Sequence, residues 1–309
     1  MCFFEDKIKI LFLYIIIAIF ILIFFILKSR KYIKICLCTP VKKENRYLNE
    51  FIEHYKLYNV DKIFLYDNND IDGESLEEVL YNYVKSGLVN ISNFRGKKKV
   101  LYEMMNDCYK KNYLEFDWLI FYEVDEYIYL KNYTDIKKFL NEDKFNQCQT
   151  IQLNWVMHTD NDNIYYENKS LKSRFPESNK AIKFTAIKSI LRGKIPGIII
   201  NCVHKLNKKL ITCNGFGKRT HVKGAGTGKL DYNYYYIDHY FCKSTEEFIN
   251  KINKGDVLYN QNNFLERIKV YLAYNKVTKE KLNYIKKNLH MNISFYKLLP
   301  NKNFDNLVI

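Results

Sequence analysis

The sequence predicts an α/β protein: a mostly parallel sheet flanked by helices and preceded by one transmembrane helix. Three observations carry this reading. From residue 34 to about residue 130, short apolar runs alternate with amphipathic stretches, the pattern of parallel strands joined by crossover helices. An uncharged run of 18 residues, Ile10 to Leu27, stands near the amino terminus. Late in the alternation, the run Asp117 to Leu130, DWLIFYEVDEYIYL, places three acids inside an otherwise apolar strand pattern.

The elements follow in order. Residues 1–9 form a short tail. The run 10–27 reaches about 27 Å as a helix, enough for a bilayer core. Lys28, Arg30 and Lys31 follow it with no small-residue cleavage site, so an uncleaved anchor is expected rather than a signal peptide. Residues 28–34 then form a basic linker. KICLCTPV, Lys34 to Val41, reads as the first strand of a folded domain over 35–255. Leu48, Phe51, Ile52, Tyr55 and Tyr58 recur at helical spacing. Lys62 to Tyr66 is a second strand, and a polar turn cluster runs from Asp67 to Gly73. Leu76 to Tyr83, Gly87 to Ser92 and Leu101 to Lys111 read as helix, strand and helix. Beyond the acidic run, Ile151 to Met157 is a strand, and 215–228 is a glycine-rich basic loop. Ser244, ahead of an acid pair and an apolar run, marks a capped helix start. Residues 256–309 form a helical extension.

Composition bounds the partners weakly. Lys+Arg number 49 against 34 Asp+Glu, a formal charge of +15, which attracts anionic ligands or surfaces. No zinc-finger spacing or RNP-like motif accompanies it, so no nucleic-acid partner is expected. Dinucleotide and P-loop fingerprints are also absent from the sequence. Eight cysteines include no C-x-x-C pair. A few disulfides are expected if the domain is lumenal, and buried free thiols are the other reading.

The acids supply the candidate chemistry. On an extended strand Glu123 and Asp125 point to one face, and Glu126 to the other. Two oxygen ligands at a strand end suit a hard ion such as Mn²⁺ or Mg²⁺. The plainer alternative pairs the acids with lysines. Asp67, at another predicted strand end, would lie at the same carboxyl edge of the sheet.

Three segments in order then resemble glycosyltransferase family 92 and related family-2-like transferases. They are Lys43 to Asp70, KENRYLNEFIEHYKLYNVDKIFLYDNND; Trp118 to Ile128, WLIFYEVDEYI; and Ile237 to Phe248, IDHYFCKSTEEF. Together they span roughly residues 35 to 255. The resemblance implies a GT-A fold, a nucleotide-sugar donor such as a UDP-hexose, a divalent metal and a glycan or glycoprotein acceptor. It departs from the commoner pattern at Glu123, where aspartate is usual. It makes Asp125 the principal metal ligand, Glu123 the second, and His239 the third, with His204 as the alternative. Pro40, Glu44 and Asp67 would hold the nucleoside; Lys99, Arg192, Lys218 and Arg219 are candidates for diphosphate or acceptor contacts. Inversion needs a carboxylate base, for which Asp160 is the first candidate, then Asp162 and Glu177. Transfer of a sugar such as galactose, by a single-pass protein with a lumenal catalytic domain, is the expected function. A metal-dependent phosphoesterase and a non-catalytic carbohydrate-binding module are the competing classes.

Overall fold

The computed structural model describes residues 12, 14–20, 32–178, 186–202, 204, 209–220, 231–254 and 264–289. Met1–Ile33 and Lys34–Ile309 are separate units. In the first, residues 14–20 are helical. Most of the expected anchor, 10–27, lies outside the described residues, and no helix among the described residues is long and apolar enough to cross a membrane. Part of the glycine-rich loop, 221–228, also lies outside them.

The second unit begins with the alternation that the sequence predicts. β1 (Ile35–Val41) leads through α1 (Asn45–Leu57) to β2 (Lys62–Asp67), then α2 (Leu76–Lys85), β3 (Val89–Asn93), α3 (Leu101–Asn112) and β4 (Trp118–Phe121). β1 pairs in parallel with β2 and β4, and β2 with β3. All four residues of β4 are buried, as its unbroken apolar run requires. α1 buries Tyr47, Leu48, Phe51, Ile52 and Tyr55 along one face, while Tyr58 is half-buried just beyond its end.

The acidic run is not one strand. β4 stops at Phe121, and β5 (Glu126–Leu130) starts five residues later. Between them the chain turns: Glu126 N–H donates to Glu123 O at 3.0 Å. The Glu126 carboxylate accepts from Glu123 N–H at 2.9 Å, closing the turn from both ends. The two-residue alternation expected for Glu123, Asp125 and Glu126 therefore does not apply.

The remaining elements are α4 (Ile136–Leu140), β6 (Thr150–Met157), α5 (Leu171–Arg174), β7 (Ile187–Arg192), β8 (Thr212–Asn214), β9 (Tyr235–His239), α6 (Thr245–Asn253), α7 (Phe264–Tyr274) and α8 (Lys279–Asn288). The sheet runs β3-β2-β1-β4-β7-β6-β9-β5, with β8 beside β6. It is a mixed sheet flanked by helices: the pairings β1–β2, β1–β4, β2–β3, β6–β8 and β6–β9 are parallel, as expected of most of the sheet, and the remaining ones are antiparallel. β7 is antiparallel to both β4 and β6, and β5 is antiparallel to β9. A parallel return needs a crossover of a dozen or more residues, usually a helix. The connection from Met157 to Ile187 is longer than that, but among its described residues the helix is the four-residue α5, and the chain returns antiparallel.

Close approaches pin the far edge of the sheet. A Cβ on Gly193 would lie 1.8 Å from Phe116 O, so no other residue fits there without moving the backbone. Disulfides join Cys38 of β1 to Cys108 of α3, and Cys148 to Cys213 of β8. α7 and α8 contribute Ile268, Tyr271 and Ile285 to a core with Met157, Phe248 and Ile252. Phe248 and Tyr271 stack with ring centroids 4.2 Å apart, a geometry that adds about 0.5–1.5 kcal/mol beyond area burial.

Candidate active site

The sheet brings the acids to its carboxyl edge. β1, β2, β4, β6 and β9 end there, while the antiparallel β5 and β7 begin there. The register sets Val41 beside Asp67, Met157 beside His239, and Glu126 beside His239. Lys188, the second residue of β7, comes to the same edge from the other direction.

Each acid has a cation, and the cations come from distant sequence. Lys188 Nζ lies 2.6 Å from Glu123 Oε1 and 3.3 Å from Glu126 Oε1. Lys251, in the last turn of α6, bonds Asp125 Oδ2. Asp125 Oδ1 faces His239 Nε2 at 3.7 Å. Asp125 and His239 side chains are both 5% exposed, whereas Glu123 is 43% exposed. Burial opposes ionisation of Asp125, but the Lys251 ammonium on its Oδ2 outweighs it and holds the carboxyl well below the usual range. The Lys188 ammonium likewise lowers the Glu123 carboxyl. Burial wins at Glu126, whose carboxyl is raised despite Lys188.

His239 is a buried imidazole whose Nδ1 has no hydrogen-bond partner. Burial lowers its pKa in spite of Asp125, which favours the neutral, metal-ligating form. Trp155 stands between the two histidines, 4.2 Å from the His239 ring and 5.4 Å from that of His204. His204 Nδ1–H donates to Ile187 O at 2.7 Å, and burial, then Lys188, lower its pKa.

These residues fit a divalent ion in part. The 3.7 Å between Asp125 Oδ1 and His239 Nε2 is too long for a hydrogen bond. Two metal–ligand arms of about 2.1 Å each span it. Among the described residues no group of three or more His, Cys, Asp and Glu is placed to hold a metal. One carboxylate and one imidazole would leave most positions to phosphate oxygens and water, the habit of Mg²⁺. Glu123 turns instead to Lys188.

Beside Asp125 lies a cleft of about 340 Å³ between the loop after β1 and α6, lined by Lys43, Glu44, Arg46, Lys243, Lys251 and Lys254 among others. Glu44 is 12% exposed; it bonds Lys254 and lies 3.4 Å from Lys243. Burial disfavours its charge, and these two lysines reverse that and lower its pKa. α6 is fixed against the cleft by a capping box of Ser244 and Glu247. Glu247 also takes two bonds from Arg174, at 2.6 and 3.0 Å, and one from Tyr47 at 2.6 Å.

The other expected residues divide by place. Pro40 sits in β1 opposite Tyr66. Asp67 ends β2, where it accepts from Arg95 at 2.8 Å and from Asn69 N–H at 3.0 Å, an Asx-type turn. Lys99 is exposed, with φ of 57°, just before α3. Arg192, Lys218 and Arg219 are at the opposite edge of the sheet, which corrects their assignment to the donor. Arg192 pairs with Trp118, the first residue of β4, lies over its ring at 4.1 Å, and donates to Phe145 O and Cys148 O. Arg219 donates to Gln147, ahead of β6, and Lys218 is exposed in the turn after β8. Both follow from the antiparallel course of β7 and the start-of-strand pairing of β8, neither visible in local sequence.

Asp160 is 1% exposed. It accepts from Tyr271 at 2.5 Å and Lys281 at 2.9 Å, so its oxygens are engaged in holding α7 and α8. Asp162 also meets Lys281 at 2.9 Å but is 60% exposed, and Glu177 is exposed. Sequence reasoning missed Lys251, Lys254 and the Arg174–Glu247 pair. The helical spacing of Glu247 and Lys251 was a signal, as it puts both on one face of α6.

A family model described as Glycosyltransferase family 92 matches residues 31–268. A family 92 protein of Oryza sativa subsp. japonica is 30% identical over 101 residues, 32% of this chain and 17% of the relative. One of Ricinus communis is 28% identical over 103 residues, 31% and 16% respectively. The matched stretch thus spans less than a fifth of those relatives. Among solved structures, S. aureus TarS 1–349 in complex with UDP-GlcNAc superposes with a TM-score of 0.41 and 12% identity, covering 86% of this chain and 82% of that one. A Pyrobaculum calidifontis mannosyltransferase in complex with GDP-Man and Mn²⁺ gives 0.33 and 4%, over 40% and 36%. Both scores are too low to carry an argument. The family match covers most of the chain: the protein belongs to glycosyltransferase family 92.

Proposed function

We propose that the protein transfers a sugar, a hexose such as galactose, from a nucleotide-sugar donor to a glycan or glycoprotein acceptor, with inversion and with Mn²⁺ or Mg²⁺. The observation that carries the reading is the meeting of Asp125 and His239 at the carboxyl edge beside a basic cleft. Asp125 and His239 would hold the ion, which supplies positive charge against the donor diphosphate as it leaves. Lys43, Arg46, Lys243 and Lys254 add fixed cations along the path of the diphosphate. Asp67, held by Arg95, would present the end of β2 to the nucleoside. Proton removal from the acceptor needs an open carboxylate; Asp162 and Glu177 have that exposure and Asp160 lacks it.

The uncharged run 10–27 supports a single anchor. Two disulfides support an oxidising compartment, and Asn132 and Asn168, each the first residue of an N-x-S/T glycosylation sequence, are exposed. A lumenal domain accommodates both. Purified protein incubated with labelled UDP-hexoses and Mn²⁺ should release free sugar slowly, and EDTA should stop it. Folded protein inactive on every common donor, but active on phosphodiesters, would reverse the assignment.

A further inference from the structure

Lys251 belongs to two places at once. Its ammonium bonds Asp125 Oδ2, and the residue lines the basic cleft. Its helix is fixed at the other end by Ser244 and Glu247, whereas the ammonium rides on a flexible four-carbon stem. It is 15% exposed and rests over the Phe241 ring at 4.7 Å. Lys188 differs. It bridges two carboxylates, is 3% exposed, and does not line the cleft.

An ammonium on one oxygen of Asp125 competes with any second cation for the same negative charge. An incoming diphosphate in the cleft would offer that ammonium another partner, whereas Glu44, which lines the same cleft, is already held by Lys243 and Lys254. We infer that Lys251 is an exchangeable counter-ion, holding Asp125 in the donor-free protein and passing to the donor diphosphate as the divalent ion takes the carboxylate. This rests on the reading of Asp125 as the ion-holding residue. It makes Lys251 a positioning residue with opposite effects on the two ligands: it weakens ion binding alone and strengthens nucleoside diphosphate binding.

The test is Mn²⁺ binding to full-length protein without donor, followed by electron paramagnetic resonance of the free ion. Lys251→Met should bind Mn²⁺ about tenfold more tightly than the parent, the factor for about 1.4 kcal/mol. It should also bind UDP about tenfold more weakly in metal-free buffer. In the parent protein, mass spectrometry after amine acetylation should show Lys251 labelled faster when Mn²⁺ is added, and Lys188 unchanged. That measurement decides the matter should Lys251→Met fail to fold. If the parent binds Mn²⁺ and Asp125→Asn does not, the ion-holding reading stands. Unchanged affinity in Lys251→Met, or unchanged labelling of Lys251, then overturns the exchange alone. A parent that binds no Mn²⁺ even with UDP present overturns both.

Discussion

Glu247 and Asp125 are both buried carboxylates matched to a basic residue from another element, yet their surroundings differ. Glu247 takes bonds from Arg174, Tyr47 and Ser244, so both oxygens are filled. Asp125 has Lys251 on one oxygen, while the other faces His239 across 3.7 Å. Nearby, the buried His239 Nδ1 lacks a hydrogen-bond partner, and Glu126 Oε1 has the Lys188 ammonium only at 3.3 Å. A filled network fixes structure, because each member would be costly to strand. An under-filled one beside a cleft keeps capacity for a ligand. The comparison separates residues that hold the fold from those that face the reaction.

The contrast is most severely tested at Arg174. Arg174→Met leaves Glu247 buried without its cation, and removal of one partner from such a pair costs about 3–5 kcal/mol. Urea unfolding should show that loss; a cost below about 1 kcal/mol would erase the distinction. At the other cluster, Asp125→Asn should lower donor turnover by two or more orders of magnitude, about 3 kcal/mol of transition-state stabilisation. Its unfolding midpoint should hardly move, since the stranded Lys251 lines an open cleft. Glu126→Gln should do least to turnover, because burial already favours the neutral form of that carboxyl. Near-normal rate and metal dependence in Asp125→Asn would place the reaction elsewhere.

The smallest effect is a pH dependence. Burial raises the Glu247 pKa, but Arg174, Ser244 and Tyr47 together hold it down to about 2, against about 4.3 in an unfolded chain. A lowered carboxyl stabilises the fold fully above the unfolded value and loses that contribution as pH falls through the folded one. The stability advantage of the parent over Glu247→Gln, read by urea unfolding, should therefore be constant above about pH 4.3 and shrink towards pH 2. A constant advantage down to pH 2 would mean that the carboxylate is not specifically held.

Much of the parallel half was legible because its elements announce themselves locally. The apolar positions of α1 and the unbroken run of β4 are periodic signals. The acids were legible as a site but not as a shape. Apolar residues on both sides of Glu123–Glu126 hide a turn, which is closed by bonds within the turn itself. The lysines were harder still. Lys188 and Lys251 reach the acids across 65 and 126 residues, and nothing near either lysine shows which carboxylate it will meet. Arg192 and Arg219 failed for a related reason: proximity to a strand says nothing of which end faces the ligand until strand direction is known.

The two disulfides bear on the chain before it folds. They connect cysteines 70 and 65 residues apart. In the chain-entropy account, closing a loop of that size removes about 4 kcal/mol of freedom from the denatured ensemble. Cys38–Cys108 also ties β1 to the helix that leads into β4, its neighbour in the sheet. Much of the disorder of a long nonlocal pairing is thus removed by covalent bonds rather than by contacts. Protein made in a reducing bacterial host would face that entropy unaided, so yield and solubility there would reflect the missing cross-links rather than any weakness of the reacting edge.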